Sequence, residues 1–205
     1  MNIELKNIKH FPSLSQETEA FTASLYINGK HAGYAENTGH GGETNYYDKD
    51  AKGKELIKQA EEYAKSFKKP DDRFINMALE EKINDLLYDH LQKKDLEKFN
   101  KKLAKITDNG IAYGIPNDSY SYFTFNHSME KFLSNIKGIK HIKNLIRDKI
   151  IPKLGTDEII LNTNIPEKLL LESGLKKGQY VQPQTNITAQ INLDLNNEQI
   201  KRGRS

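Results

Sequence analysis

The residues best suited to chemistry are concentrated in one short stretch, NTGHGGETNYY, from Asn37 to Tyr47. Gly39, Gly41 and Gly42 let the backbone approach a ligand closely and can turn N–H groups toward an anion. His40, Asn45, Tyr46 and Tyr47 add side-chain donors. The stretch leads toward a helix start, where the dipole also favours anions. A nucleotide or phosphodiester fits this chemistry, so Gly39, His40, Gly41, Gly42, Asn45 and Tyr46 are the candidate ligand-binding residues. The loop lacks the Lys-Ser/Thr pair of a Walker motif and follows a hairpin strand, unlike a dinucleotide fingerprint. The competing reading is a turn or a bulged connection.

A second candidate is electrostatic. Lys137, Lys140, Lys143 and Arg147 form a basic stripe in a segment with helical periodicity, with Lys131, Lys149 and Lys153 nearby. Glu130 and Asp148 are the acids that oppose it. Nucleic acid or an acidic protein surface suits such a stripe, and a solvated helix face is the plain alternative. A third candidate is aromatic. Tyr113, Tyr120 and Tyr122 can stack on bases or anchor a protein interface, or can simply be strand residues under a helix.

Catalytic constellations are not recognisable. No Ser-His-Asp context, nucleophile elbow or spaced acidic pair is present, and Glu43 is the acid beside His40. The six histidines show no i, i+4 pair and no H-E-x-x-H frame, so neither a metal site nor a cofactor is expected. Zero cysteines remove disulfides, thiolate zinc sites and cysteine nucleophiles together. No catalytic residue is named, and an enzyme is the less favoured reading.

The elements that must carry these residues follow from pattern. FTASLYINGKHAGYAEN is a hairpin turning at Asn28-Gly29, the favoured pair for a type I′ turn. That register sets Ile27 against Lys30, Leu25 against Ala32 and Ala23 against Tyr34. Leu25, Ile27, Ala32 and Tyr34 then share a buried face, leaving Thr22, Ser24, Tyr26 and His31 on the wetter one. A helix containing Leu56, Ala60, Tyr63, Ala64 and Phe67 follows, with Asp48 or Asp50 as its cap. A longer helix starts near Asp72 and carries Phe74, Met77, Ile83, Leu87 and Leu91, with a break expected inside HLQKKDLEK. NGIAYGIPNDSYSYFTF reads as two short strands around Pro116-Asn117-Asp118. A helix over 128–151 ends at Pro152, DEIILN is a strand, and IPEKLLLESG is a short helix. Hairpins with three main helices make the class α+β, as one domain over 1–178 with a partly irregular C-terminal extension over 179–205.

Bulk composition bounds the partners. Lys plus Arg total 31 against 28 acids, a net charge of +3, so only a local patch argues for nucleic acid. No stretch has the length of a signal peptide or a membrane span, and a cytoplasmic protein without a membrane partner is expected.

The segment LKNIKHFPSLSQETEAFTASLYINGKHAGYAENTGHGGETNYY resembles the N-terminal part of small proteins of bacterial phages and other mobile elements. The resemblance lies in the Ser-x-Glu-Thr step from Ser15 to Thr18, the Leu-Tyr-x-Asn-Gly-Lys strand end, and a Gly-Gly loop followed by Asn and aromatics. It implies an accessory protein working inside a bacterial host cell, binding a host or phage macromolecule and in some cases countering host defence. A protein partner is expected first and nucleic acid second. A nucleotide- or phosphodiester-binding protein or enzyme acting at 37–47 is the alternative. The oligomeric state is left open.

Overall fold

The computed structural model describes residues 1–183 and has the expected α+β architecture. The Asn28-Gly29 turn forms as the sequence requires, with φ of 49° and 76°, and Ile27 pairs with Lys30. It joins β2 (Phe21–Ile27) to β3 (Lys30–Asn37).

The register then departs from simple alternation. Tyr26 pairs with His31, but Leu25 pairs with Gly33 and Ala23 with Ala35. Ala32 is the extra residue of a β-bulge, so the expected Leu25–Ala32 and Ala23–Tyr34 pairs do not form. Leu25, Ile27 and Ala32 are fully buried as expected. Tyr34 is not: the bulge turns it to the opposite face, where it is 40% exposed. The His31 side chain spans the bulge, with Nε2 2.9 Å from the Gly33 carbonyl oxygen. A carbonyl can only accept, so Nε2 carries the proton.

Two further strands complete this sheet. β1 (Ile3–His10) pairs antiparallel with β2, and its own register shift between Lys6 and Lys9 contains Asn7 at φ 54°. β4 (Asn45–Asp48) pairs antiparallel with β3, giving a four-stranded meander in the order β1-β2-β3-β4. One face buries Phe21, Ala23, Leu25, Ile27, Ala32 and Ala35. Against it pack Ile57, Ala60 and Ala64 of α1 (Ala51–Lys65) and Leu79, Ile83 and Leu87 of α2 (Ala78–Asp108). Asp50 caps α1 by accepting the Gly53 N–H at 2.7 Å, and that bond holds its carboxyl below the ordinary aspartate range. α2 starts later than Asp72 because Ile75–Met77 first form a 3-10 turn. It runs through HLQKKDLEK without a break, since no Gly or Pro interrupts 78–108.

The chain divides into two compact units, residues 1–94 and the chain from 95 onward. In the second, β5 (Gly110–Ile115) and β6 (Ser119–Thr124) form the expected hairpin, with Asn117 at φ 65° in its turn. β7 (Ile159–Ile160) pairs on the other side of β5. The DEIILN strand is short because the buried Asn162 takes over its ladder. Its Oδ1 accepts the Ala112 N–H at 2.8 Å, and its Nδ2 donates to the Gly110 carbonyl at 2.9 Å.

The helix expected over 128–151 is broken. α3 (Met129–Leu133) ends at Ser134, and Asn135, extended at φ −144°, caps α4 (Ile136–Leu145) by accepting the Gly138 N–H at 2.8 Å. A short polar side chain that can bond its neighbouring backbone competes with helix continuation. A π-turn over Ile146–Ile150 and a 3-10 turn over Ile151–Lys153 follow. α5 (Glu167–Glu172) is the expected short helix. Ile111, Met129, Ile142, Ile146, Ile160, Ile165 and Leu170 centre this second core. Of the C-terminal extension, Tyr180 is buried and hydrogen-bonded to Glu167 at 2.7 Å, which pushes its hydroxyl pKa up to about 12. The rest of the extension, 184–205 with its KRGRS tail, lies outside the described residues.

The two faces of the first sheet predict opposite responses to truncation. Leu25→Ala is expected to destabilise by about 2–5 kcal/mol, the range for emptying a sealed core site. Tyr34→Ala is expected to cost under about 1 kcal/mol, as for a surface strand position. Equilibrium urea unfolding monitored by circular dichroism measures both, and equal losses would restore the unbulged register.

Candidate functional site

In the Gly loop, Gly39 is packed against the chain's own backbone, whereas Gly42 faces open space. Gly39 and Gly41 take φ of 88° and 84°, where a side chain is strained. A Cβ on Gly39 would also run into the Leu14 carbonyl, and one on Gly41 into the Glu17 carboxylate. The Gly39 carbonyl accepts the N–H groups of Gln16 and Glu17 at 2.8 and 3.2 Å, fastening the loop to the segment before β2.

Buried Asn37 organises the same loop. Its Oδ1 accepts from the Gly39 N–H at 2.8 Å and the Thr18 hydroxyl at 2.7 Å. Its Nδ2 donates to the Gly42 carbonyl and the Thr44 hydroxyl, both at 3.3 Å. Buried Thr44 passes the network to α2: its hydroxyl donates to Asn84 Oδ1 at 2.7 Å, and its N–H to Glu80 Oε1 at 2.8 Å.

The six candidate ligand residues do not converge. Gly39 is buried, while His40 is exposed with Nδ1 3.2 Å from Gln16 Oε1. Gly41 is half-buried and Gly42 exposed. Asn45 and Tyr46 are adjacent on β4 and therefore point to opposite faces. Tyr46 turns toward α1 and donates to Glu61 at 3.0 Å; burial first, then that carboxylate, raise its pKa above the ordinary tyrosine range.

The basic stripe is partly engaged within its own unit. Lys143 pairs with Glu172 of α5 at 2.9 Å, an acid remote in sequence. Arg147 pairs with Asp148 at 2.8 Å, raising the guanidinium pKa and lowering that of the carboxyl. Lys140 is exposed. Lys137 lines a shallow cleft of about 290 Å³ with His127, Lys131, Phe132 and His141. Of the three tyrosines, Tyr113 is buried in the second core, Tyr120 packs edge-on to Phe99, and Tyr122 is exposed.

The arrangement that does converge is one the pattern alone missed. The face of the first sheet opposite its core carries Tyr26, His31, Tyr34 and Tyr47 in a continuous row. Tyr26 stacks on His31 at 5.1 Å between ring centroids, His31 meets Tyr34 at 5.0 Å, and Tyr34 meets Tyr47 at 5.6 Å. Lys6 of β1 lies 4.5 Å from the Tyr26 ring centroid, within cation–π range. The row crosses β2, β3 and β4, Lys6 extends it to β1, and its far end is open, with Tyr47 49% exposed. Around it the pairing register places Glu4, Lys9, Thr22, Ser24, Glu36 and Asn45. The two lysines and two glutamates of this face cancel in charge, and Lys6 lies 3.6 Å from Glu4. The signal for it was Gly33, since a glycine inside a strand pattern marks a bulge or a close backbone approach. A Cβ there would strike the Tyr47 carbonyl.

Among the described residues no group of three or more His, Asp or Glu side chains is placed to hold a metal ion, and no helix is long and apolar enough to cross a membrane.

The loop network makes its own prediction. Asn37→Ala strips partners from the Gly39 N–H and the Thr44 hydroxyl and is expected to cost about 1–3 kcal/mol. His40→Ala, at an exposed site, is expected to stay within about 0.5 kcal/mol of wild type. Chemical denaturation compares the two, and a harmless Asn37→Ala would show that the network does not hold the loop.

No protein-family model, curated protein or solved structure matches the chain; the open aromatic face is therefore read from its own geometry and chemistry.

Proposed function

We propose that the chain is a non-catalytic binding protein and that a partner protein docks on the open face of the N-terminal sheet. The observation that carries this reading is the row Tyr26-His31-Tyr34-Tyr47, exposed at one end on a charge-balanced face. Tyrosine supplies wide, rigid, amphipathic contact area at low entropic cost, which is why it is enriched at protein interfaces. Ser24, Thr22 and Asn45 beside it offer adaptable hydrogen bonds. A nucleic-acid surface needs an excess of lysine and arginine to neutralise phosphates, and this face has none. The resemblance of the first fifth of the chain to mobile-element proteins supplies the setting: an accessory protein acting on a host or phage protein inside a bacterium, with interference in host defence as its purpose.

The test is affinity capture from bacterial lysate with wild type and with Tyr34→Asp/Tyr47→Asp. A protein retained by wild type is expected to bind the variant about 30-fold or more weakly, the loss of about 2 kcal/mol typical of an aromatic anchor. Thermal unfolding of the variant is expected to stay close to wild type. Capture indifferent to the double substitution would remove this face as the docking surface. Recovery of single-stranded nucleic acid, with affinity falling steeply in salt, would replace the protein partner.

A further inference from the structure

The break between α3 and α4 gathers four basic side chains. In an unbroken helix, Lys131 and Lys137 would stand about 120° apart around the axis, at ~100° per residue. The turn at Ser134-Asn135 instead brings both to one cleft of about 290 Å³. His127, before α3, and His141, one turn after Lys137, line the same cleft. Gly138 permits the close packing of α4 on the end of α3, since a Cβ there would strike the Phe132 carbonyl.

Every ionisable side chain in the wall of this cleft is basic. Glu130, beside Lys131 in sequence, lies outside it. Lys143 and Arg147 have their charges met by Glu172 and Asp148. The side-chain nitrogens of His127, Lys131, Lys137 and His141, by contrast, have no hydrogen-bond or ion-pair partner among the described residues. The imidazoles are nonetheless held in place. Both pack on Phe132, at 6.4 and 5.6 Å between ring centroids, and His141 also meets Phe125 at 5.8 Å.

Four side chains that can donate, with no carboxylate between them, suit an anion. A carboxylate ligand carries one charge, whereas a phosphate monoester carries about −1.5 to −2 and three strong acceptor oxygens. Two fixed ammonium charges match the phosphate, which lysine binds as a point charge. Ligand pockets run from roughly 300 to 1,000 Å³, so this cleft suits a small molecule. Phe132 gives it an apolar wall on which an organic group can rest.

We propose that this cleft binds a small phosphate monoester, with the phosphate held by Lys131, Lys137 and the two imidazoles and the organic group against Phe132. The site belongs to the second unit and is independent of the docking face on the N-terminal sheet. It moves the phosphate chemistry expected of the Gly loop to a place where the local charge supports it.

NMR titration of the isotope-labelled full chain with phenyl phosphate, inorganic phosphate and phenol tests it. Phenyl phosphate is expected to shift amides around the cleft, from His127 to His141, with a Kd of about 1 mM or tighter. Inorganic phosphate is expected to bind the same residues more weakly, and phenol not at all. Lys131→Gln/Lys137→Gln is expected to weaken phenyl phosphate at least tenfold. Its thermal unfolding is expected to stay close to wild type, because both lysines are exposed. Lys101→Gln/Lys105→Gln removes the same charge from α2 and is expected to change affinity less than twofold. No binding, shifts confined to other residues, phenol binding as well as phenyl phosphate, or equal losses in the two variants would each overturn the proposal. An oligonucleotide with a terminal phosphate that binds at least tenfold tighter than phenyl phosphate, and loses that affinity in the cleft variant, would overturn the small-molecule assignment in favour of a nucleic-acid end.

Discussion

One extra residue in β3 decides what this protein shows to the outside. Without the bulge at Ala32, strict alternation would set Tyr34 in the core and leave the opposite face with isolated rings. With it, Ala32 and Ala35 both point inward, at 0% and 1% exposure, and Tyr34 joins Tyr26, His31 and Tyr47. A bulge costs a local break in the ladder. Here His31 bridges the break to the Gly33 carbonyl while its ring fills the gap between Tyr26 and Tyr34. Gly33 permits the close approach of β4 that brings Tyr47 into the row. The same three residues, His31, Ala32 and Gly33, therefore set the register, the core and the candidate interface.

The Gly-rich loop solves a different problem. It must return the chain from β3 to β4 while keeping two buried polar residues satisfied. Buried polar groups are tolerable when each finds a partner, and among the described residues no buried side-chain donor or acceptor is left unpaired. Asn37 and Thr44 meet that condition through the loop backbone, Thr18, Asn84 and Glu80. Positive φ at Gly39, Gly41 and Gly42 is what lets the backbone wrap around the Asn37 amide. A glycine cluster of this kind looks the same in sequence whether it cradles a ligand or a neighbouring side chain, because the backbone geometry is similar in both cases.

What could be read from residues alone follows the range of the forces involved. The Asn28-Gly29 turn and the 110–124 hairpin are local, and each is fixed by the torsional preference of one or two residues. α1 and α2 are visible as periodic apolar stripes. β1 and β4 were hidden because edge strands bury little and carry weak patterns; β4 is four residues, NYYD, with no apolar alternation. The helix break at Asn135 depended on whether that side chain capped forward or stayed solvated, which periodicity does not register. Lys143 looked free because its partner, Glu172, is distant in the chain. For the site, Tyr26 and His31 were correctly put on the wetter face, but the row was incomplete until the bulge moved Tyr34 across.

The open edge bears on how such a sheet stays unaggregated. An unpaired strand is a template for any other chain, and proteins limit the hazard with short edges, charges and irregularity. β1 has its Asn7 irregularity and the lysines at 6 and 9. β4 is short, ends in Asp48 followed by Lys49 and Asp50, and is closed at its start where Glu80 takes the Thr44 N–H. Little more than the Tyr46–Asp48 segment then remains available, bounded on one side by α1, which presents Lys54 and Lys58 together with Glu55 and Glu61. A short edge cannot recruit strands indiscriminately, because few backbone bonds are on offer and they do not suffice alone. Restricting the edge in this way suppresses general strand pairing.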